Sequence, residues 1–153
     1  MGKRRDGREA AVQYLFSRDM HGESADCQLE NFWTIHTAKA STRAYAESLI
    51  QGVLDHQVEI DEHIRGCILN FSFERLASVD RNVLRVAVHE LQNCPHVPAP
   101  VILNEAIEVA KALSAGESGS FVNGVLDRLS KKLRPNEGKH VKPAQEASDS
   151  GGA

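Results

Sequence analysis

Between residues 80 and 134 the apolar side chains fall on three stripes, each recurring every three or four residues. Val83, Leu84, Ala87, Val88 and Leu91 make the first, and Ile102, Ala106, Val109, Ala110 and Leu113 the second. Val122, Val125, Leu126, Leu129 and Leu133 make the third. That recurrence predicts three helices, each with one face to bury, so the three must pack together. The punctuation agrees. Pro95, Pro98 and Pro100 separate the first stripe from the second, where proline frees the chain to turn. Gly116 stands at the end of the second, where a left-handed helix-terminating residue is expected.

The upstream half follows the same rule. Residues 8–20 predict a first helix with Ala11, Val12, Leu15 and Phe16 on its apolar face, and residues 21–27 a loop. Residues 28–36, with Leu29, Phe32, Trp33 and Ile35, predict a short second helix that places Trp33 in the core. Ser41 or Thr42 can cap a long helix running to about Leu69, along which Tyr45, Leu49, Val53, His56, Ile60, Ile64 and Cys67 recur. Residues 70–77 form an aromatic connection, with Phe71, Phe73 and Leu76 expected to plug the joint between halves. Beyond Pro135 the apolar period stops and Gly, Ser and charge dominate. Residues 1–135 are therefore expected to be the domain and 136–153 a disordered tail.

Composition narrows this picture. The chain of 153 residues is one domain's length, and 41% hydrophobic with only 5% aromatic residues implies an aliphatic core between helices. Cys27, Cys67 and Cys94 are odd in number and scattered, which argues against a disulfide framework and for a reducing, cytoplasmic setting. No stretch has the length of a membrane span or the pattern of a signal peptide. The net charge of −3 conceals two basic ends and an acidic middle. Lys3, Arg4, Arg5 and Arg8 cluster at one end; Lys131, Lys132, Arg134, Lys139 and Lys142 at the other; residues 44–64 carry five acids and no Lys or Arg.

Candidate chemistry is sparse. No phosphate-cradling glycine loop, nucleophile elbow or clustered metal-ligand set is present, so neither catalysis nor a cofactor is expected. His63 and Cys67 have a legal four-residue ligand spacing but no second pair, and Cys94 with His96 fares no better. Asn104, Glu105 and Glu108 are explained by the helix dipole near a helix start. A binding surface is better supported. Phe121, Arg128 and Lys132 stand at i, i+7 and i+11, one stripe with a ring at the top and cations below, which suits single-stranded nucleic acid. A core role for Phe121 is the competing reading. Lys3, Arg4, Arg5 and Arg8 at the positive end of a helix make sense if an external anion completes the site, against the alternative of a solubilising terminus.

The strings DRNVLRVAVHEL, PVILNEAIEVAKALS and SFVNGVLDRLSKKLRP, in that order and spacing, resemble the NusB family of bacterial transcription antitermination factors. The resemblance extends back through NFSFERLASVDRNVLR to REAAVQYLFS and covers roughly residues 4 to 135; residues 21–44 match only in helical character. It implies an all-α fold, a compact bundle of about seven helices in two small subdomains. It implies a non-catalytic protein that binds single-stranded boxA RNA of nascent ribosomal RNA transcripts with ribosomal protein S10, within the transcription elongation complex, as a monomer or weak homodimer. On matching positions, the family's arginine-rich first helix corresponds to Arg4, Arg5, Arg8 and Gln13. Its RNA-contacting loop corresponds to Glu117, Ser118, Ser120 and Phe121, and Phe16 and Asp80 stand where the family approaches S10. Phe16 replaces a common tyrosine, and Ile68 lies where some members carry an aromatic. Two rivals remain: a free-standing targeting module akin to the helical domain that precedes certain RNA cytosine methyltransferases, whose catalytic domain this chain ends too soon to hold, and a self-associating structural protein. The cationic leading end and the Phe121 loop are expected side by side on one exterior surface.

Overall fold

A computed structural model describes residues 2–22, 28–69, 71–114 and 119–140; of residues 119, 120 and 138–140 only the helical backbone is described. Among these residues the regular elements are all helical: α1 (Lys3–His21), α2 (Leu29–Ile35), α3 (Ala40–Asp55), α4 (Gln57–Arg65), a 3-10 turn (Phe73–Arg75), α5 (Ser78–Asn93), α6 (Ala99–Leu113), α7 (Gly119–Leu133) and α8 (Pro135–His140). The three apolar stripes that define α5, α6 and α7 go inside. Every member is buried except Leu113 and Leu133, which pack against the core from its edge. α5 is the central strut, touching α1, α3, α4, α6 and α7.

α1 packs most extensively on α3, and the two run parallel: Gly7 faces Thr42, Tyr45 and Ala46, while Leu15 and Arg18 share a hollow with Leu54 and Gln57. Two glycines make the close crossings possible. A Cβ on Gly7 would come 2.7 Å from Tyr45 Cδ2, and one on Gly52 would overlap the His89 ring that fills the gap between α3 and α5. Buried side chains of both halves form one continuous cluster.

Four expectations change. The first helix begins at Lys3 rather than residue 8, so the cationic cluster is helical. The long third helix is broken at His56 (φ −130°, ψ 28°), and it starts after Lys39 with no side-chain cap from Ser41 or Thr42. Neither Pro nor Gly marks this break, and the buried stripe continues across it through Val53, Ile60 and Ile64. Of the three residues expected to plug the joint, Phe73 and Leu76 are buried but Phe71 is 45% exposed. Finally, Pro135 opens a further helix to His140 where the tail is expected to begin, and residues 141–153 lie outside the described residues. In that helix the Glu137 carboxylate accepts the Ala99 N–H at 2.6 Å, capping the orphan donors of α6, and receives Arg134 Nη1 at 2.8 Å. Gly116 and Cys27 lie outside the described residues.

Arg134 itself closes the other end of α5. Its guanidinium donates to the carbonyls of Glu90, Leu91, Cys94 and Val97 at 2.6–3.1 Å, satisfying acceptors that a helix C-terminus leaves open. A cation grouped by sequence with a solvated basic end is an interior clamp.

Candidate nucleic-acid interface

Charge sorts the basic residues into two sets. One set is engaged inside the fold. Arg8, only 3% exposed, donates from Nε and Nη2 to the two carboxylate oxygens of Glu90 at 2.9 and 2.8 Å, and Tyr45 Oη donates to the same carboxylate at 3.1 Å. Burial and the neighbouring Glu90 push the Tyr45 hydroxyl up to about 12. Arg5 grips Glu105 of α6 the same way, at 2.8 and 2.7 Å, and that hydrogen bond holds the Glu105 carboxyl below its usual range. Glu105 is thus a partner of the basic helix and not a dipole-complementing acid; Ala99, six residues earlier, is where α6 begins.

At the other end of α1, Asp19 receives Arg85, Asn82, Arg81 and Ser78, and Arg85 also donates to Asp61 at 2.8 and 3.0 Å. Burial alone would raise the Asp19 carboxyl; the Asn82 hydrogen bond and the Arg85 charge outweigh it and hold it low. Arg65, Arg81 and Arg85 all approach the Phe73 ring, at 4.5, 5.6 and 5.5 Å. Asp80 is 7% exposed, an interior place for a residue aligned with a partner contact.

The second set has no carboxylate partner among the described residues: Lys3, Arg4, Lys39, Arg43, Arg75, Arg128 and Lys132. Lys3 and Arg4 are exposed in the first turn of α1. With Gln13, Lys3 lines a cleft of about 640 Å³ whose far wall is Trp33, His36 and Lys39; Asp6 and Glu9 also line it, so its charge is mixed.

Arg128 and Lys132 lie on the predicted stripe of α7, and the connection after α4 runs antiparallel along it. Arg128 Nε donates to the Cys67 carbonyl at 2.7 Å, the Gly66 backbone faces Lys132 Nζ, and Phe71 meets Phe121 with ring centroids 5.9 Å apart at 59°. Phe121 is half-buried, so it is partly core and partly surface. Phe71 and Arg75, whose guanidinium lies 5.7 Å from the Phe71 ring centre, are additions that sequence reasoning missed. The only signal was an apolar residue in a segment without helical period. Ile68 packs partly buried against the core. Of the other expected contacts, Glu117 and Ser118 lie outside the described residues, as does the Ser120 side chain; Gln13 is half-buried and Phe16 is 37% exposed.

The Phe121 end of the α7 stripe and the start of α1 lie toward different ends of α5, while the Lys132 end of the stripe, two residues from Arg134, lies toward the same end as Arg8. Arg8 and Arg134 meet the C-terminal end of α5 at Glu90, whereas Phe71, and with it Phe121, adjoins the segment that leads into its N-terminus. Sixteen residues of helix, about 24 Å, separate those ends. His63 pairs with Gln92 at 3.1 Å and Cys67 is buried; among the described residues no group of three or more His, Cys, Asp or Glu could hold a metal. No described helix is long and apolar enough to cross a membrane.

Comparison with known proteins gives one consistent answer. Residues 5–131 match the model of the NusB family. The chain is 47% identical over 133 residues to the transcription antitermination protein NusB of Sorangium cellulosum, covering 87% of this chain and 95% of that one. It is 42% identical over 139 residues to NusB of Geobacter sulfurreducens, covering 90% and 100%. Among solved structures, T. maritima NusB superposes with a TM-score of 0.76 at 32% identity, covering 91% and 98% of the two chains. A chain from the crystal structure of the antitermination factors NusB and NusE in complex with dsRNA superposes at 0.75 and 28% identity, covering 86% and 98%.

Proposed function

The chain belongs to the NusB family, and from that premise we propose that it is a transcription antitermination factor. In this reading it binds the boxA element of nascent ribosomal RNA transcripts together with ribosomal protein S10, inside the transcription elongation complex in the cytoplasm. Its role is binding, with no catalytic step and no cofactor.

The observation that carries the reading is the α7 stripe. Phe121, Arg128 and Lys132 share one side of the helix, and neither cation is neutralised by a carboxylate among the described residues. Cations left without acidic partners follow a phosphate backbone, and a partly exposed ring offers a face to a base. A family member's solved complex with NusE and RNA supports the same partners.

Lys3 and Arg4 supply a second phosphate-contacting region, with Gln13 behind them. Because the Phe121 end of the α7 stripe lies toward the opposite end of α5 from this region while its Lys132 end lies toward the same end, one RNA strand engages both by following the stripe. Arg5, held by Glu105, flanks that region, and buried Arg8 positions α1 rather than touching phosphate. By their alignment with the family's RNA-contacting positions, Glu117, Ser118 and Ser120 add further contacts. For S10 the seat is Phe16 with Met20, 37% and 60% exposed one turn apart on α1; Asp80, aligned with the same partner contact, is itself buried.

Titration of labelled boxA RNA with the protein, alone and with purified S10, tests this. Binding that tightens when S10 is added and weakens with salt is expected. A leader transcript that the protein ignores with S10 present would overturn the reading.

A further inference from the structure

The connection beside α7 exposes two large apolar side chains, Leu69 and Phe71, and of these Phe71 is the one that meets a ring of the stripe. Phe71 is 45% exposed, although its neighbours Phe73 and Leu76 are buried. Its ring leans on Phe121 at 5.9 Å and 59°, a tilted pair within the range in which aromatic rings attract. On Phe71 also lies the guanidinium of Arg75, 5.7 Å from the ring centre, close to the outer limit for a cation–π contact. Arg75 is exposed and forms no ion pair among the described residues, whereas adjacent Arg65 is held by Glu74 at 2.9 Å and faces Glu62. The loose spacing, the open cation and the exposed ring occur at one place, at the ring end of the cationic stripe.

We propose that Phe71 and Arg75 form a base-stacking clamp for RNA. One unpaired base of the bound strand enters between the Phe71 ring and the Arg75 guanidinium, and Phe121 braces Phe71 from the side. A base so held has an aromatic plane against one face and a guanidinium plane against the other, the arrangement by which single-stranded loops are gripped. Every base has such faces, so the clamp adds affinity without choosing sequence. The adjacent cations, Arg128 and Lys132, then meet the phosphates on the same side, which favours RNA over an apolar protein partner. The inference rests on the RNA-binding reading of α7 and adds a nucleotide seat to it.

The test is the affinity of fluorescein-labelled boxA RNA, with S10 present, for the wild type and for Phe71→Ala, Phe71→Leu and Phe71→Trp. Losing one base–ring stack is expected to weaken binding roughly 5- to 150-fold in Phe71→Ala. Phe71→Leu, which keeps apolar bulk for the Phe121 contact, should lose a comparable amount, and Phe71→Trp should bind like the wild type. The slope of affinity against salt should stay unchanged, because no phosphate contact is removed. In Phe71→Trp, RNA should quench the new indole beyond any change at Trp33, the one native tryptophan, which is 6% exposed. Wild-type affinity in Phe71→Leu, or no quenching in Phe71→Trp when RNA is bound, overturns the clamp while leaving the RNA reading intact. Loss of S10 binding in the absence of RNA, with RNA affinity preserved, would make the patch a protein contact and overturn it as well. Failure of the wild type to bind RNA removes the underlying reading instead.

Discussion

Arg8 and Glu90 meet through two parallel hydrogen bonds, at 2.9 and 2.8 Å, with side chains 4% and 2% exposed. The pair ties the start of α1 to the end of α5 and draws in Tyr45 from α3 and, at 3.7 Å, Glu105 from α6. Four helices are therefore registered by one buried ion pair. Removing one partner leaves the other charge uncompensated in the interior, which costs about 3–5 kcal/mol. Arg8→Ala is expected to lower stability by that amount in urea unfolding, and Arg8→Met combined with Glu90→Leu to lose less than the single change.

Exposed Lys3 and Arg4 behave differently. If each contacts a phosphate of single-stranded RNA, removing both should reduce the slope of log K against log salt by about 1.4, roughly 0.7 per contact. The double variant Lys3→Ala, Arg4→Ala should melt like the wild type. An unchanged slope would take phosphate binding away from the end of α1.

The helix crossings give a contrast between two glycines. Gly52→Ala drives a methyl into the His89 ring, and overpacking of this kind costs about 1–3 kcal/mol. At Gly124 the nearest atom to an added methyl is Arg128 Nη1, 3.9 Å away, so Gly124→Ala should stabilise α7 by up to about 1 kcal/mol through helix propensity. Thermal melts of the two variants should move in opposite directions.

Acid should unfold the protein in two stages. Burial, with a smaller contribution from His56, holds the His89 imidazole below its ordinary 6.5 despite the opposing charge of Glu90. As pH falls through 6.5 the unfolded chain takes up a proton that the folded His89 refuses, so stability declines from there downward. Asp19 and Glu105 are held below their ordinary 3.8 and 4.5, and the stability they contribute above those values is lost as pH falls below them through the depressed folded-state values. Tm measured against pH should show both declines, and His89→Gln should remove the upper one alone.

The helices around the core were legible because burial imposes its period on the sequence. All five apolar residues of the α5 stripe are buried, as the spacing requires. Side-chain charge obeys no such rule. Arg8 and Arg134 look like members of solvated basic clusters, and only tertiary contacts reveal that one anchors Glu90 and the other caps α5. The break at His56 was hidden because the apolar stripe carries on through it. Phe71 was misjudged for the opposite reason: an apolar residue in a non-periodic segment gives no indication of which way it faces. At the candidate site, the α7 stripe was readable as a helical face, but the segment laid along it, with Phe71 and Arg75, was not.

The central claim is that RNA runs along the α7 stripe and its neighbouring connection. Cross-linking of 4-thiouridine-substituted boxA RNA to the protein–S10 complex, with the cross-linked peptides identified by mass spectrometry, tests it most directly. Cross-links in residues 66–75 and 119–134, together with the first turn of α1, are the expected result. Cross-links confined to α2 and α3, with none on α7, would contradict it.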